Sequence, residues 1–236
     1  MEKTILLLGD SLSKGIVLDE VQNRYTVLPD SFFSLLSQSV NARMINASRF
    51  GSTVVQGQRW LEIKMEKYDP DIVVIEFGGN DCDFRWDDIA KDPSNDHIPN
   101  TPLDVFEEKL ACMVDYVRQY GKTPVLATLP PIYADSYFKW FTGCDGEKGA
   151  SILKWLKGVW RIYWWQERYS NCIEYIARVK NTACIDIRRA FLKSRDFVQY
   201  ICPDGIHPNR EGHRLIYDTV MNYIRENASY LLPSAT

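Results

Sequence analysis

Residues 2–15, E-K-T-I-L-L-L-G-D-S-L-S-K-G, join an apolar run to a small polar turn. Residues 4–8 hold leucine and β-branched side chains without polar alternation, which predicts a parallel strand buried on both faces. Gly9 ends this strand. In an open α/β sheet the ligand crevice lies beyond the carboxyl ends of the strands, so the next residues are predicted to face it. Those residues are Asp10 and Ser11.

The rest of the chain alternates predicted strands with predicted helices, which is the pattern of a parallel sheet covered on both faces. The predicted strands are residues 4–8, 43–46, 72–77, 123–128 and 183–186. The predicted helices are residues 30–39, 53–67, 102–120, 171–180, 187–193 and 211–226. We see no linker or internal repeat that divides the sequence, and we therefore expect one α/β domain over residues 1–236.

Two segments do not fit this alternation. Residues 82–101 show no clear period, and an unstructured connection of about 20 residues is usually functional or mobile, so we predict a binding loop. Residues 132–169 form an aromatic-rich insertion that is longer than a crossover needs. Three alternatives stay open for its tryptophans and tyrosines: they are buried on the sheet, they cover the site as a lid, or they form a dimer contact.

The overall composition argues against several classes of protein. The formal charge of -3 and the scattered lysines and arginines give no basic surface, which argues against a nucleic-acid partner. No apolar run reaches the length of a membrane span, and residues 4–8 are too short for the apolar part of a signal peptide. The six cysteines form no C-x-x-C pair, which argues against a disulfide framework or a zinc site and predicts reduced thiols in a cytoplasm.

An acidic run follows Asn80 and raises the question of a metal. Its members are Asp81, Asp83, Asp87 and Asp88. The run does not match a Ca²⁺-binding loop, because Arg85 occupies the third ligand position and no glycine follows. We therefore predict a solvated acidic loop, with neither a metal ion nor another cofactor.

The polar residues at the predicted strand ends include the groups that acyl transfer by a serine needs. Such a reaction uses a hydroxyl, a base, a group that orients the base and donors for an oxyanion. The chain has three histidines, and His207 lies in a turn before the last predicted helix with Asp204 three residues upstream. That spacing allows the carboxylate to reach one ring nitrogen while the other nitrogen faces the crevice.

Each candidate residue also has an ordinary structural role. Ser11 and Asp204 are residue types that cap helices, Gly51 suits a turn with positive φ, and Asn80 suits an Asx turn. Taken singly, these roles are the more frequent ones. Taken together, the candidates follow three predicted strands and precede one predicted helix, at the edge where a sheet of this class binds its ligand. We therefore predict a catalytic site built from them.

Four sequence blocks make the chain resemble the SGNH hydrolases, also called GDSL-type esterases and lipases. The blocks are Gly9-Asp10-Ser11-Leu12, residues 46–53 (N-A-S-R-F-G-S-T), Gly78-Gly79-Asn80-Asp81 and residues 204–209 (D-G-I-H-P-N). The resemblance extends over the whole chain and implies a three-layer α/β/α fold with a doubly wound, flavodoxin-like sheet of five parallel strands. The signature of the other large hydrolase fold, G-x-S-x-G, is absent because Ser13 occupies the position of the second glycine.

The resemblance also implies a role for each matching residue. Ser11 is expected to be the nucleophile, His207 the base and Asp204 the acid that orients the base. The backbone N–H groups of Ser11 and Gly51 and the side-chain amide of Asn80 are expected to bind the oxyanion. Further candidates for contact with the substrate are Asp10, Asp81 and Tyr133.

The expected activity is that of a serine esterase that removes a small acyl group, acetyl above all, from a carbohydrate or similar polar substrate. Two alternatives stay open. The same blocks equally support a lysophospholipase or thioesterase, and a scaffold without catalysis would serve as a ligand-binding module. The expected partner is a small-molecule ester, with neither nucleic acid nor membrane, and the oligomeric state is left open, a homodimer included.

Overall fold

The computed structural model describes residues 2–143 and 145–233, and a parallel sheet lies at its centre. Its strands are β1 (Lys3–Gly9), β4 (Ala42–Asn46), β5 (Ile72–Glu76), β6 (Thr123–Ala127) and β7 (Ala183–Ile185). They lie side by side in the order β4-β1-β5-β6-β7, and every neighbouring pair is parallel. The first strand thus lies between the second and third strands of the sheet, as in flavodoxin-like folds. The predicted fold class is confirmed.

The apolar run of β1 explains why the sheet is covered on both sides. Successive side chains of a strand point to opposite faces, so Leu6 and Leu8 join one hydrophobic cluster while Ile5 and Leu7 join another. These four side chains are all 5% exposed or less. Because burying one such side chain contributes about 1.5–3 kcal/mol, this interior strand anchors both layers of helices.

Helices form one layer on each face of the sheet. The layer on the Leu6 face consists of α3 (Val54–Tyr68), α5 (Leu103–Gln119) and α8 (Trp160–Val179). The layer on the Leu7 face consists of α2 (Phe32–Ser39), α9 (Ile187–Leu192) and α10 (Arg210–Asn227). Each helix directs an apolar stripe at the sheet, and this gives the three-layer architecture that the resemblance implies.

The predicted strands all form, with ends within one residue of the predicted ones. Sequence analysis missed the antiparallel hairpin of β2 (Ile16–Asp19) and β3 (Arg24–Val27). It also treated residues 82–101 as unstructured, which is wrong at α4 (Trp86–Lys91). Strands of four residues and a helix of six residues are too short for a hydrophobic period to appear in the sequence.

The predicted insertion, residues 132–169, forms two helices and the start of a third. These are α6 (Ala134–Thr142), α7 (Gly146–Leu156) and the first turns of α8. Together with α4 they surround a third hydrophobic cluster, separate from the two clusters of the sheet. Its most buried members include Ile89, Ile152, Leu156, Ile162 and Phe84. We call residues 84–91, 132–143 and 145–165 the aromatic cap.

The tryptophans of the insertion do not lie in the core of the sheet. Trp155 and Trp165 are half-buried against the cluster of the aromatic cap. Trp140, Trp160 and Trp164 are exposed by 36%, 63% and 43%. Burial on the sheet is therefore excluded for these side chains, and the lid and the dimer contact remain as alternatives.

Among the described residues, no helix combines the length and the hydropathy that a membrane span requires. In the part of the chain that the structure describes, the cysteines carry free thiols, namely Cys82, Cys112, Cys172, Cys184 and Cys202. The cytoplasmic location and the single domain stay predictions.

Candidate active site

Ser11 begins a single-turn helix, α1 (Ser11–Lys14), separated by one residue from the end of β1. Asp10 caps this turn, because its Oδ1 accepts the Leu12 N–H at 2.9 Å. A Cβ at Gly9 would lie 2.7 Å from the Glu76 carbonyl oxygen, so only a glycine permits this close approach of β1 and β5. The strand and the turn together hold Ser11 at the carboxyl edge of the sheet, where it is 9% exposed.

Three side chains form a continuous hydrogen-bonded chain at this edge. His207 Nε2 lies 2.9 Å from Ser11 Oγ, and His207 Nδ1 lies 2.6 Å from Asp204 Oδ2. His207 is 5% exposed, and Asp204 is completely buried. Because the carboxylate accepts the Nδ1 proton, Nε2 is left as the acceptor that faces the serine hydroxyl. The structure thus brings Ser11, Asp204 and His207 together.

The turn that presents His207 is held by its own backbone. Asp204 Oδ1 accepts the N–H groups of Ile206 and His207, both at 3.0 Å. Gly205 has a φ of 79°, and a Cβ there would lie 2.4 Å from the Tyr137 nitrogen, so this position requires glycine. Burial raises the pKa of Asp204, but the hydrogen bond and charge of His207 and the two N–H donors outweigh it and lower that pKa. Asp204 therefore stays ionised beside the imidazole.

Asn80 lies just beyond β5 and lines the same cavity as Ser11. Its Nδ2 donates to Asp10 Oδ2 at 2.9 Å and to the Ser52 carbonyl oxygen at 3.1 Å. These two acceptors fix the plane of the amide. Because Asp10 follows β1 and Ser52 lies in the loop after β4, the amide also connects the ends of three strands.

Gly51 is exposed in the loop after β4, with a φ of 73° that favours glycine. It does not line the cavity, but the ring of its neighbour Phe50 stacks on His207 with the centroids 6.2 Å apart. The Arg49 N–H donates to the Gly9 carbonyl oxygen at 3.0 Å and holds this loop against the end of β1. The loop therefore borders the site, and the role of Gly51 as an oxyanion donor stays a prediction.

A second acid, Glu76, lies behind Asp10. It is the last residue of β5, lines the same cavity and is 2% exposed. Its Oε2 accepts the Ser13 hydroxyl at 2.8 Å. Burial raises the pKa of both carboxyl groups, and the charge of Glu76 raises the pKa of Asp10 further. Sequence analysis missed Glu76, although an acid inside the apolar run I-V-V-I-E-F is a signal that would have found it.

Tyr25 of β3 also contacts the site. Its ring lies 4.9 Å from the His207 ring, and the rings of Phe50 and Trp140 lie 5.4 and 6.2 Å from Tyr25. Burial, followed by the charge of Asp204, raises the pKa of the Tyr25 hydroxyl, which therefore stays neutral. Two aromatic side chains from separate segments, Tyr25 and Phe50, thus lie beside His207, and Trp140 packs on Tyr25. No sequence signal pointed to Tyr25, because its hairpin was not predicted and it lies outside the four blocks.

Of the remaining candidates for substrate contact, Asp10 alone lines the cavity. Asp81 is completely buried, and its two oxygens accept the first N–H of α3 at 3.0 and 3.2 Å. Tyr133 uses its backbone, whose N–H donates to the Gly205 carbonyl oxygen at 2.8 Å. Tyr137, one helical turn later, contributes the tyrosine side chain to the cavity wall. A contact of Asp81 or Tyr133 with the substrate stays a prediction.

The cavity lies between the strand ends and the aromatic cap. With its open mouth included, it measures about 790 Å³. Its polar wall comes from the strand ends and includes Asp10, Ser11 and Asn80. Its apolar wall comes mainly from the cap and includes Phe84, Trp86, Ile132, Leu156, Ile162 and Trp165. Among the described residues that line it, Arg161 is the one permanently cationic side chain.

The other two histidines lie apart from this chain of hydrogen bonds. His213 is completely buried and stacks on Phe32 with the ring centroids 5.8 Å apart, and burial lowers its pKa to about 4. His97 is half-buried, with Nε2 at 2.8 Å from the Asp92 carbonyl oxygen. Within residues 2–143 and 145–233, no three His, Cys, Asp or Glu side chains gather in a way that would hold a metal ion.

A family model described as the GDSL-like lipase/acylhydrolase family matches residues 7–215. The chain belongs to this family. Esterase TesA of Pseudomonas aeruginosa is 30% identical over 164 residues, which cover 66% of this chain and 73% of TesA. An arylesterase of Vibrio mimicus is 28% identical over 139 residues, which cover 58% of this chain and 60% of the arylesterase. The predicted family and its enzyme class, the carboxylic ester hydrolases, are confirmed.

Solved structures share the fold of this GDSL-family chain. The lipase/acylhydrolase of Enterococcus faecalis has a TM-score of 0.67 at 22% identity, with 99% of this chain and 100% of that chain covered. An acetylxylan esterase of Geobacillus stearothermophilus has a TM-score of 0.66 at 19% identity, with 100% of this chain and 99% of that chain covered. Because these identities are low, the likeness shows the fold alone, and the predicted SGNH hydrolase fold is confirmed.

Proposed function

We propose that the protein hydrolyses a carboxylic ester through an acyl-enzyme on Ser11. The observation that supports this most directly is the hydrogen-bonded chain from Ser11 through His207 to Asp204, at 2.9 and 2.6 Å. A serine hydroxyl is a weak nucleophile unless an adjacent base accepts its proton. His207 is in the position to do so, and membership of an acylhydrolase family supports an ester as the target.

In the proposed reaction, His207 Nε2 takes the proton of Ser11 while Oγ attacks the carbonyl carbon of the ester. The bond to the alcohol oxygen then breaks, and the imidazolium returns the proton to that leaving oxygen. Water attacks the acyl-enzyme with His207 again as the base, which releases the carboxylic acid and restores Ser11. Asp204 stabilises the imidazolium in both half-reactions.

We assign the oxyanion to the N–H groups of Ser11 and Gly51 and to the side-chain amide of Asn80. The hydrogen bonds of Asn80 to Asp10 and to the Ser52 carbonyl keep the amide at the strand ends before substrate binds. One of its hydrogens would turn to the oxyanion as charge develops. The amide nitrogen is thus held at the strand ends in advance, and binding the oxyanion would exchange one of its two hydrogen bonds for a bond to the developing charge.

For the substrate we propose a small acyl group, acetyl in the first instance, on a carbohydrate or other polar alcohol. The acetylxylan esterase that shares the fold over the whole chain supports this choice. So do two partly exposed rings, which offer flat apolar faces to a sugar ring. Phe50 stacks on His207 and is 50% exposed, and Trp140 contacts Tyr25 and is 36% exposed.

A second candidate is a longer acyl chain, as in a lysophospholipid or a thioester. The apolar wall that the aromatic cap contributes to the cavity favours it, because such a wall would shield methylene groups from water at about 0.8 kcal/mol each. Acetylated xylo-oligosaccharides and p-nitrophenyl esters from acetyl to octanoyl separate the two candidates. A clear preference for octanoyl would end the deacetylase proposal.

Labelling with a fluorophosphonate tests the catalytic assignment itself. We expect a stable adduct on Ser11 of the wild-type protein and none in the Ser11→Ala variant. A folded wild-type protein that forms no adduct and hydrolyses no ester would instead be a ligand-binding module.

A further inference from the structure

Arg161, the second residue of α8, lies in the wall of the active-site cavity. Its Nε atom is buried and has no hydrogen-bond partner. The ion pairs within residues 2–143 and 145–233 do not include its guanidinium. The guanidinium lies 5.6 Å from the Trp160 ring centroid, a contact that leaves the Nε–H without an acceptor.

An unpartnered donor in this position is energetically unfavourable. A buried N–H group that has lost water and gained no acceptor destabilises the folded protein. Such groups are rare in folded proteins, and one that lines a ligand cavity is explained when the ligand supplies the missing acceptor. The planar guanidinium of arginine binds a carboxylate through two parallel N–H donors, which suits Nε and one Nη.

The acids of the same cavity are occupied by other donors. Asp83 accepts the Tyr137 hydroxyl at 2.7 Å and the Trp86 indole N–H at 2.8 Å. Asp10 and Glu76 are engaged with their own partners at the strand ends. Burial raises the pKa of all three carboxyl groups, which reduces the negative charge that an anionic ligand would meet. These acids bond to other donors and form no ion pair with Arg161 among the described residues.

The geometry points to Arg161 as the binding site for a carboxylate of the substrate, so that the preferred ester carries a second, anionic group. The inference rests on the proposed ester hydrolysis at Ser11, because one cavity contains both side chains and one molecule would contact both. Arg161 would then determine specificity without taking part in the chemistry.

Two pairs of esters, compared by kcat/KM, show whether the preferred substrate carries its carboxylate on the acyl group or on the alcohol. Mono-p-nitrophenyl adipate and p-nitrophenyl hexanoate differ by a carboxylate at the end of the acyl chain. 4-Acetoxybenzoate and 4-acetoxybenzamide differ by a carboxylate on the alcohol. In one of the pairs we expect the wild-type kcat/KM to be about tenfold or more higher for the anionic ester.

Arg161→Met keeps the apolar stem of the side chain and removes its charge. We expect it to lower kcat/KM for the preferred anionic ester about tenfold or more, mainly through KM, and to change the neutral ester less than about threefold. Arg161→Lys should keep part of the preference, because the charge remains without the planar fork.

The matched control is Arg168→Met, on the same helix and outside the cavity lining. The Arg168 guanidinium lies 5.3 and 5.4 Å from the rings of Trp164 and Trp165, so this variant also removes an arginine that packs on tryptophan. It should leave the ratio of anionic to neutral turnover unchanged. Circular dichroism confirms that both variants are folded.

Equal losses for both members of each pair in Arg161→Met, or no charge preference of the wild type in either pair, would overturn the proposal. Turnover of neutral esters without that preference refutes only the role of Arg161, whereas turnover of no ester at all refutes the proposed function too. If Arg161→Met does not fold, inhibition of the wild type by carboxylates and their neutral amides decides. Hexanoate should compete more strongly than hexanamide, or benzoate more strongly than benzamide, and equal inhibition within both pairs would refute the proposal.

Discussion

The carboxyl edge of the sheet and the aromatic cap form opposite walls of one cavity, and they are built by different forces. At the edge, backbone geometry positions the functional groups: Ser11 follows a strand, and Asp204 holds the His207 turn through two N–H groups. In the cap, side-chain packing holds the helices that form the cavity wall. Ile152, for example, is completely buried in a cluster separate from those of the sheet.

This difference separates the reaction from the choice of substrate. Backbone hydrogen bonds and turns tolerate few residue types, so Gly9 and Gly205 cannot be replaced without a clash. Hydrophobic packing tolerates many side chains of similar volume. We therefore expect changes at the edge to affect the chemical step and changes in the cap to affect stability and specificity.

The largest expected effect is the loss of activity in Ser11→Ala. Removing the nucleophile should lower kcat for p-nitrophenyl acetate about a thousandfold or more, since only binding and oxyanion donors remain. The melting temperature should stay close to that of the wild type, because the change removes one hydroxyl at the edge and none of the packing in the cap. Activity close to that of the wild type would mean that the nucleophile lies elsewhere.

Asn80→Ala tests the edge at its proposed oxyanion donor. Loss of one such donor should cost about 3 kcal/mol of activation free energy, a decrease in kcat of roughly a hundredfold. Asn100→Ala is the control, because the Asn100 amide donates to the Asn80 carbonyl oxygen at 2.9 Å and supports Asn80 without reaching the cavity lining. Steady-state kinetics that show equal effects of the two variants would assign Asn80 a structural role.

Measurements at acid pH test whether the loss of activity at the edge can be separated from the loss of stability of the whole fold. His213 lies in neither region, and burial lowers its pKa from 6.5 to about 4. Between these values the unfolded chain binds a proton that the native protein does not, so the contribution of His213 to stability falls as the pH drops through this window and is constant above it. The full effect is at most about 3 kcal/mol.

Urea unfolding measured from about pH 4 to pH 8 should show this contribution as a difference in slope between the wild type and His213→Leu. The comparison is needed because burial raises the pKa of Asp10, Glu76 and Asp81, and these groups give both proteins a slope of the opposite sign. His97→Leu serves as the control, because His97 is only half-buried, and it should keep the slope. An unchanged slope in His213→Leu would show that another group is responsible. Activity of His213→Leu measured against pH then reports how the catalytic edge responds to acid, without the contribution of His213 to stability.

Tyr137→Phe gives the smallest expected effect and tests the cap. It removes the hydroxyl that donates to Asp83 at 2.7 Å, which should lower the free energy of unfolding by about 1–3 kcal/mol. Urea unfolding measures this loss. The kcat for p-nitrophenyl acetate should change less than about threefold, because the ring still packs in the cap. A large loss of kcat without a loss of stability would place part of the chemistry in the cap.

The sequence predicted the sheet well because its signal is local. The runs in β1 and β5 are apolar without interruption, and such runs are typical of strands that are buried on both faces. Tyr25 and α4 could not be predicted in this way, because a four-residue strand and a six-residue helix contain too few positions to show a period. It left the insertion undecided, because an aromatic side chain packs equally well on a sheet, under a lid or in an interface.

By itself the sequence determined the fold class, the strand positions and the residues that match the family, since each depends on spacing within a few neighbouring residues. Only the tertiary structure decided which of them meet: His207 Nε2 lies 2.9 Å from the hydroxyl of Ser11, 196 residues away in the chain. It alone revealed Glu76 behind Asp10 and Arg161 in the cavity wall. The physical reason is that periodicity records the direction of a side chain within one element, whereas contacts between distant segments depend on how those elements pack.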